Sequence, residues 1–349
     1  MFDFITMGSA TLDAFIETDA ANIVSVSSTN MKKDFMAYPY GAKIEIDKFD
    51  FKTGGGAVNT VTNFASLGFK VSTIIKIGQE LQGQNVLATL KKFGVDTSNV
   101  ICSKEYSTGF SIILTSFQGD RTVLAHRGAN SKLTEDDINF DAIKNSKWLY
   151  LAPLNGDSTK VLDKLADYAK DHDVNLAINL GTSSIKQGRK NLKSVLKAAN
   201  VIILNKEEAS MLTQVEVRPD SKTEKFSAEK IHPDIKTMLE ELCFGKGRIV
   251  IITDGKHGAY AYDSKQFYQC DEFPAKVVST LGAGDAFAST FVASYQKTKG
   301  DIELSLKYAS VQAASIVEHF GAQNGFLTFD EIEKKLDGNK DFNVFVQKK

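Results

Sequence analysis

Proline is scarce, with five in 349 residues, and the three cysteines, Cys102, Cys243 and Cys270, show no paired spacing. A disulfide-stapled scaffold is thereby excluded, and the thiols read as free groups in a reducing compartment. The five histidines make no HExxH pattern and no set with paired cysteines, so no zinc site is indicated. An excess of either charge is also missing: 42 Lys+Arg against 43 Asp+Glu leaves −1, and no basic cluster alternates with aromatics. Nucleic acid and anionic membrane are therefore not expected partners. No apolar run reaches the roughly 18 residues of a membrane helix, and Met1 to Ala10 has no basic stretch ahead of its short apolar run, which reads as cytoplasmic. Internal repeats and low-complexity tracts are lacking. So are the Rossmann glycine fingerprint and the Walker A pattern, which removes support for a nicotinamide enzyme and a P-loop NTPase.

What is present is a globular composition, 42% hydrophobic and 24% charged, in a chain long enough for two units or one large α/β domain with an appendage. Short β-branched runs alternate with helical patterns. Val71 to Ile77, Trp148 to Ala152, Leu176 to Asn179, Val201 to Asn205 and Ile249 to Thr253 are each expected to lead into a helix, giving βαβ crossovers and a mostly parallel sheet. Val201-Ile-Ile-Leu204 and Ile249-Val-Ile-Ile252 are apolar without alternation, as central strands covered on both faces are. A helix opening near Ala57 is expected to bury Val58, Val61, Phe64, Ala65 and Leu67 and to stop at Gly68, and a second one over Gln84 to Phe93 to stop at Gly94. Phe15 to Phe51 and Ile101 to Arg127 break this rhythm. In the second, Phe110 to Thr115 and Arg121 to Ala125 flank a Gly119-Asp120 turn as a hairpin would, so a small β lid is expected. The polar run Arg218 to Lys225 reads as a surface loop, and the lone Trp148 as core.

In open parallel sheets ligands sit beyond the carboxyl ends of the strands. Asp13, Asn205, Thr253-Asp254-Gly255 and Gly282-Ala-Gly-Asp285 fall at such ends. In Ser279-Thr-Leu-Gly-Ala-Gly-Asp285 the glycines let backbone N–H groups approach an anion, the helix start adds unpaired donors, and an Asp in that turn is placed to deprotonate an attacking hydroxyl. The same residues also make an ordinary glycine-rich turn whose Asp offsets the helix dipole. Gly54-Gly-Gly-Ala-Val-Asn59 leaves room for a ligand that Asn59 can grip as donor and acceptor, or is only a strand-to-helix turn. Asn205-Lys-Glu-Glu208 puts a carboxylate where it can hold a hydrated Mg²⁺, and equally makes an N-cap with an acidic first turn.

The order of these motifs, Gly8 to Asp13, Gly55 to Asn59, Asn205 to Glu208 and Gly282 to Asp285, resembles the ribokinase-like PfkB family of sugar and nucleoside kinases, with Lys76-Ile-Gly78, Gly83 and Gly321-Ala-Gln323 in further agreement. The resemblance spans about Phe4 to Gly325. It implies a Rossmann-like three-layer α/β sandwich with a mostly parallel central sheet and a small β lid: core over 1–15, 52–100 and 128–349, lid over 16–51 and 101–127. It implies ATP-dependent phosphorylation of a hydroxyl. Asp285 corresponds to the catalytic base, and the backbone of Gly282, Ala283 and Gly284 to the anion hole. Asp13, Gly55 and Asn59 correspond to substrate contacts. Asn205 and Glu208 match the motif that places Mg²⁺ and phosphate, Thr253, Gly255 and Gly258 the nucleotide turn, and Ser310 and Gly321 lie toward adenine.

Ser279 stands where many of these kinases carry an Asp that serves K⁺, so weak or no K⁺ activation is expected. Gly56 and Asn155 replace residues found in ribokinases proper, which argues against ribose. Arg127, closing the lid after His126, is a candidate for a phosphate on the sugar, or a solvated lid-edge residue. Phe35, Tyr38, Tyr40, Phe49 and Phe51 can stack on a nucleoside base or pack a dimer contact. The expected activity is a sugar kinase acting on a hydroxymethyl group; a nucleoside kinase is the alternative, and a catalytically silent metabolite-binding regulator a third. Exposed lid edges favour a homodimer formed through the lid.

Overall fold

The computed structural model describes residues 1–28, 31–115, 121–217 and 231–349. The Gly119-Asp120 turn and the Arg218 to Lys225 run lie outside them.

Among the described residues, sixteen strands form three sheets. In chain order they are β1 (Phe2–Met7), β2 (Thr11–Glu17), β3 (Asn22–Ser28), β4 (Met31–Ala37), β5 (Lys48–Gly54), β6 (Val71–Gly78), β7 (Val100–Ser103), β8 (Gly109–Thr115), β9 (Arg121–His126), β10 (Ser146–Leu151), β11 (Asn175–Asn179), β12 (Val201–Asn205), β13 (Ile249–Thr253), β14 (Ala259–Tyr262), β15 (Gln266–Cys270) and β16 (Val344–Lys348). The large sheet has the order β16-β15-β14-β13-β12-β11-β10-β1-β6-β7. It is parallel from β13 through β7 and antiparallel beyond β13. Alternate residues of its central strands enter opposite layers: Phe4, Tyr150, Ile203 and Ile251 pack on one side, Ile5, Leu149, Ile202 and Val250 on the other. Two buried faces explain the unbroken apolar runs. Trp148 is core, stacked 6.4 Å from Phe4, with its indole N–H donated to Gln296.

The helix Gly56–Ser66 ends with Gly68 at φ +85°, and Leu81–Lys92 ends with Gly94 at φ +72°, both as their sequences predict. Ala65 of the first is only half-buried. Against expectation, Ile249 to Thr253 leads not into a helix but through a short 3₁₀ turn, Gly255–His257, into the antiparallel β14 and β15.

The lid is a four-stranded sheet, β5-β2-β8-β9, with β3 and β4 paired as a separate hairpin. Its strands begin earlier than the expected segments, at Thr11 rather than 16, and β5 runs on to Gly54. Val100–Ser103, placed partly in the lid by sequence, pairs with β6 in the large sheet. The lid has two unlike faces. Lys52, Asp13, Ser111 and Ala125 form one cross-strand row, while Phe51, Ala14, Ile112 and Leu124 form the adjacent row on the opposite face. Phe49, Phe51 and Leu124 on that second face are 65%, 49% and 54% exposed.

Candidate active site

Beyond the carboxyl ends of β12 and β13 lies a cleft of about 720 Å³. Asn205, Thr253, Gly255, Gly258 and Ser310 line it together with Ala283 and Gly284, so these sequence-predicted residues meet in one place. Lys206 and Asp254 pair at 2.5 Å across its floor, tying the two strand ends together. Gly258 holds φ +79°, where a Cβ would come 2.1 Å from the Cys270 carbonyl oxygen, so a glycine is required. The Ser310 hydroxyl donates to the Asp271 carbonyl and accepts from the Phe273 N–H. Gly321 stands elsewhere, against the Lys52 stem of the lid.

Asn205 and Glu208 form a reciprocal capping box: the Glu208 N–H donates to Asn205 Oδ1 at 2.8 Å, and the Asn205 N–H to Glu208 Oε2 at 3.1 Å. The capping alternative is thus realised, and the carboxylate that closes it faces a crowded negative field. Burial first, then the charges of Glu207 and Asp285, push the Glu208 carboxyl up to about 6.

The helix Ala283–Lys297 opens at Gly282, which holds φ +83° with a built Cβ only 2.5 Å from that of Ala322. A Cβ on Gly284, by contrast, would meet nothing within 4 Å. The N–H of Ala283 leans on the Thr280 carbonyl at 3.4 Å. The first-turn N–H groups of a helix have no intrahelical acceptors, and this start borders the cleft. Asp285 sits in that turn and accepts from Asn59 Nδ2 at 2.8 Å. Burial raises its carboxyl to about 6, and the Asn59 bond opposes the rise.

Asn59 comes from the helix Gly56–Ser66, entered through Gly55 at φ +94°, where a side chain would strike the Ser9 carbonyl. Asp13 of β2 is 8% exposed, and its carboxylate lies so close to Gly54 that a Cβ there would fall 2.3 Å from Oδ2. Burial raises the Asp13 carboxyl, against the hydroxyls of Ser111 and Thr11. Arg127 is exposed at the start of the turn Gly128–Ser131. Sequence reasoning did not assign Thr53 and Gln323, which join this set: Gln323 Nε2 donates to Asn59 Oδ1 at 3.1 Å and to the Thr53 carbonyl at 3.0 Å. Their only sequence signal was the Gly321-Ala-Gln323 triplet.

The arrangement thus sets an open helix start beside a buried carboxylate raised to about 6, between the lid strand that carries Asp13 and the cleft beyond β12 and β13. The family model described as pfkB family carbohydrate kinase matches residues 20–328. The chain belongs to this family. As a PfkB kinase it is a phosphotransferase that acts on an alcohol group. It is 25% identical to the 5-dehydro-2-deoxygluconokinase of Bacillus subtilis over 336 residues, 93% of this chain and 98% of that one. Its fold matches Arabidopsis thaliana ribokinase complexed with ribose and ATP, with a TM-score of 0.77 at 20% identity over 96% of this chain and 98% of that one. Burkholderia thailandensis nucleoside kinase in complex with inosine gives a TM-score of 0.74 at 17% identity over 97% and 99%.

Proposed function

We propose that this PfkB kinase transfers the γ-phosphoryl group of ATP to a hydroxymethyl group of a sugar, with Asp285 as general base. The supporting observation is the Asp285 carboxylate, held by Asn59 at 2.8 Å beside the open helix start of Gly282, Ala283 and Gly284. The substrate O–H gives its proton to Asp285 while its oxygen bonds to the γ-phosphorus. The bond from that phosphorus to the bridging oxygen breaks, and ADP leaves with the electron pair. Charge on the transferred group meets the backbone N–H donors of the helix start, whose removal typically costs about 10²–10³-fold in such sites. Asp13, Gly55 and Asn59 hold the sugar, and Asn205, Thr253, Gly255, Gly258 and Ser310 the nucleotide. Gly321, which packs on the lid, is reassigned from adenine to lid contact.

Among the described residues no cluster of three or more His, Cys, Asp or Glu side chains could hold a metal ion. Magnesium suits this, because it binds through one or two carboxylates plus phosphates and water. Glu208, with a carboxyl raised by negative neighbours, would hold it through water. When bound, the ion neutralises phosphate charge. Ser279 offers a hydroxyl that already accepts from the Leu281 N–H, and no carboxylate, which supports weak or no K⁺ activation.

A sugar is favoured over a nucleoside because Phe49 and Phe51 lie on the lid face opposite Asp13 and cannot stack on a base held there. The exposed guanidinium of Arg127 suits a carboxylate or phosphate on that sugar. The apolar outer lid face favours a homodimer. Among the described residues no helix is long and apolar enough to cross a membrane, and with the free cysteines this supports the cytoplasm. The test is ADP release from Mg·ATP over pentoses, hexoses, sugar acids, their phosphates and nucleosides. Turnover with a sugar or sugar acid is expected; turnover with nucleosides alone would install the nucleoside alternative, and ATP binding without turnover the silent regulator.

A further inference from the structure

Four consecutive residues touch the lid and the open helix start in turn. The Phe320 ring meets Phe15 of β2 edge-on at 4.8 Å. Gly321 lies along the Lys52 stem of β5, and Ala322 packs on Gly282. Gln323 then connects Thr53 of β5 to Asn59, and Asn59 connects to Asp285.

The polarity of this chain is set from both ends. The Thr53 carbonyl can only accept, so the end of the Gln323 side chain facing it is the NH₂. That NH₂ also meets Asn59, which must therefore present its oxygen to Gln323 and its own NH₂ to Asp285. Thr53 Oγ1 completes the set by donating to Gln323 Oε1 at 3.0 Å. We propose that Gln323 is a positioning residue: it fixes which end of the Asn59 amide faces the Asp285 carboxylate and ties that choice to lid strand β5. The proposal rests on the kinase reading with Asp285 as base. An Asn59 turned over would set a carbonyl oxygen against the carboxylate and disfavour its charged form, leaving less of the deprotonated base at a given pH. The ionisable groups that feel the Asp285 charge are Glu208, from the helix Lys206–Thr213, and Tyr150, from β10, whose buried phenol stays neutral. Burial opposes the charged Asp285 carboxylate, and the Asn59 donor is the contact that favours it.

The experiment compares native enzyme with Gln323→Glu and Gln323→Met. A carboxylate cannot donate to Asn59 Oδ1 but accepts from Nδ2, which turns the amide over; Met leaves it unheld. For Gln323→Glu we expect the acidic limb of kcat to move up by about one pH unit, so that kcat falls about 2-fold at pH 7 and approaches about 10-fold near pH 5, with KM for ATP within about 2-fold. Gln323→Met should show a smaller shift in the same direction. Folded variants with unmoved limbs, or a loss confined to KM, overturn the assignment. Should the native enzyme bind ATP yet phosphorylate nothing in the panel, the kinase reading fails. The role of Gln323 is then decided by carbon-13 titration of the Asp285 carboxyl, assigned with Asp285→Asn. An upward shift in Gln323→Glu supports the role, and an unmoved one overturns it.

Discussion

Gly282 and Gly284 stand two residues apart under opposite constraints. Gly282 needs its positive φ and has no room beside Ala322, whereas Gly284 has an ordinary backbone and free space. Gly282→Ala should therefore lower the melting temperature. Gly284→Ala should leave it unchanged or raise it, since Ala favours a helix turn over Gly by about 0.5–1 kcal/mol, while kcat falls about 10–10²-fold because the methyl crowds the incoming phosphate. A kcat unaffected by Gly284→Ala would remove this turn from the chemistry. Asp285 gives a pH signature. Its folded carboxyl titrates near 6 against an ordinary 3.8, so folding disfavours the charged form. The cost is fully present above about pH 6 and disappears as pH falls through 6 toward 3.8. Asp285→Asn should abolish about 10² or more of kcat and yet melt roughly 2–5 °C higher than native enzyme at pH 8, with that gain gone at pH 4. Melting curves at the two pH values, read beside the ADP assay, check both halves.

At the scale of elements, the capping box of Asn205 and Glu208 serves a helix and a ligand with the same atoms, and two substitutions separate the roles. Asn205→Ala should cost about 1 kcal/mol of stability and raise KM for ATP. Asn205→Asp keeps a good cap and should preserve stability, but the charge it adds beside Glu207 and Glu208 should still raise KM for ATP. An unchanged KM in both would leave the motif as a cap alone. The parallel strands were readable because burial on both faces writes an uninterrupted apolar run into each. The mistaken helix after Ile249 to Thr253 has an equally physical cause: β14 and β15 are too short to show a period, and β15 pairs on its far side with the distant β16. Asp285, Asn59 and Asn205 announced themselves through glycines and caps that local backbone geometry demands. Gln323 did not, because its partners Thr53 and Asn59 lie 270 and 264 residues away in the chain.

At the scale of the whole molecule, the lid face of Phe49, Phe51 and Leu124 is an exposed apolar surface, beside the edge strands β5 and β9 of the described residues. Such a face on a thin sheet invites a second copy. Sedimentation should give a dimer at micromolar protein, and Phe51→Ser combined with Leu124→Ser a monomer; a monomeric native chain would refute the arrangement. Trp148, the single tryptophan, has a further use. Sealed between Phe4 and Gln296, it lies inside the sheet rather than in the cleft or the lid. Its emission should stay silent when nucleotide or sugar arrives and change only when the sheet comes apart. The chain thus carries an optical gauge of its own unfolding, by which a variant that has lost its shape can be told from one that has lost its chemistry.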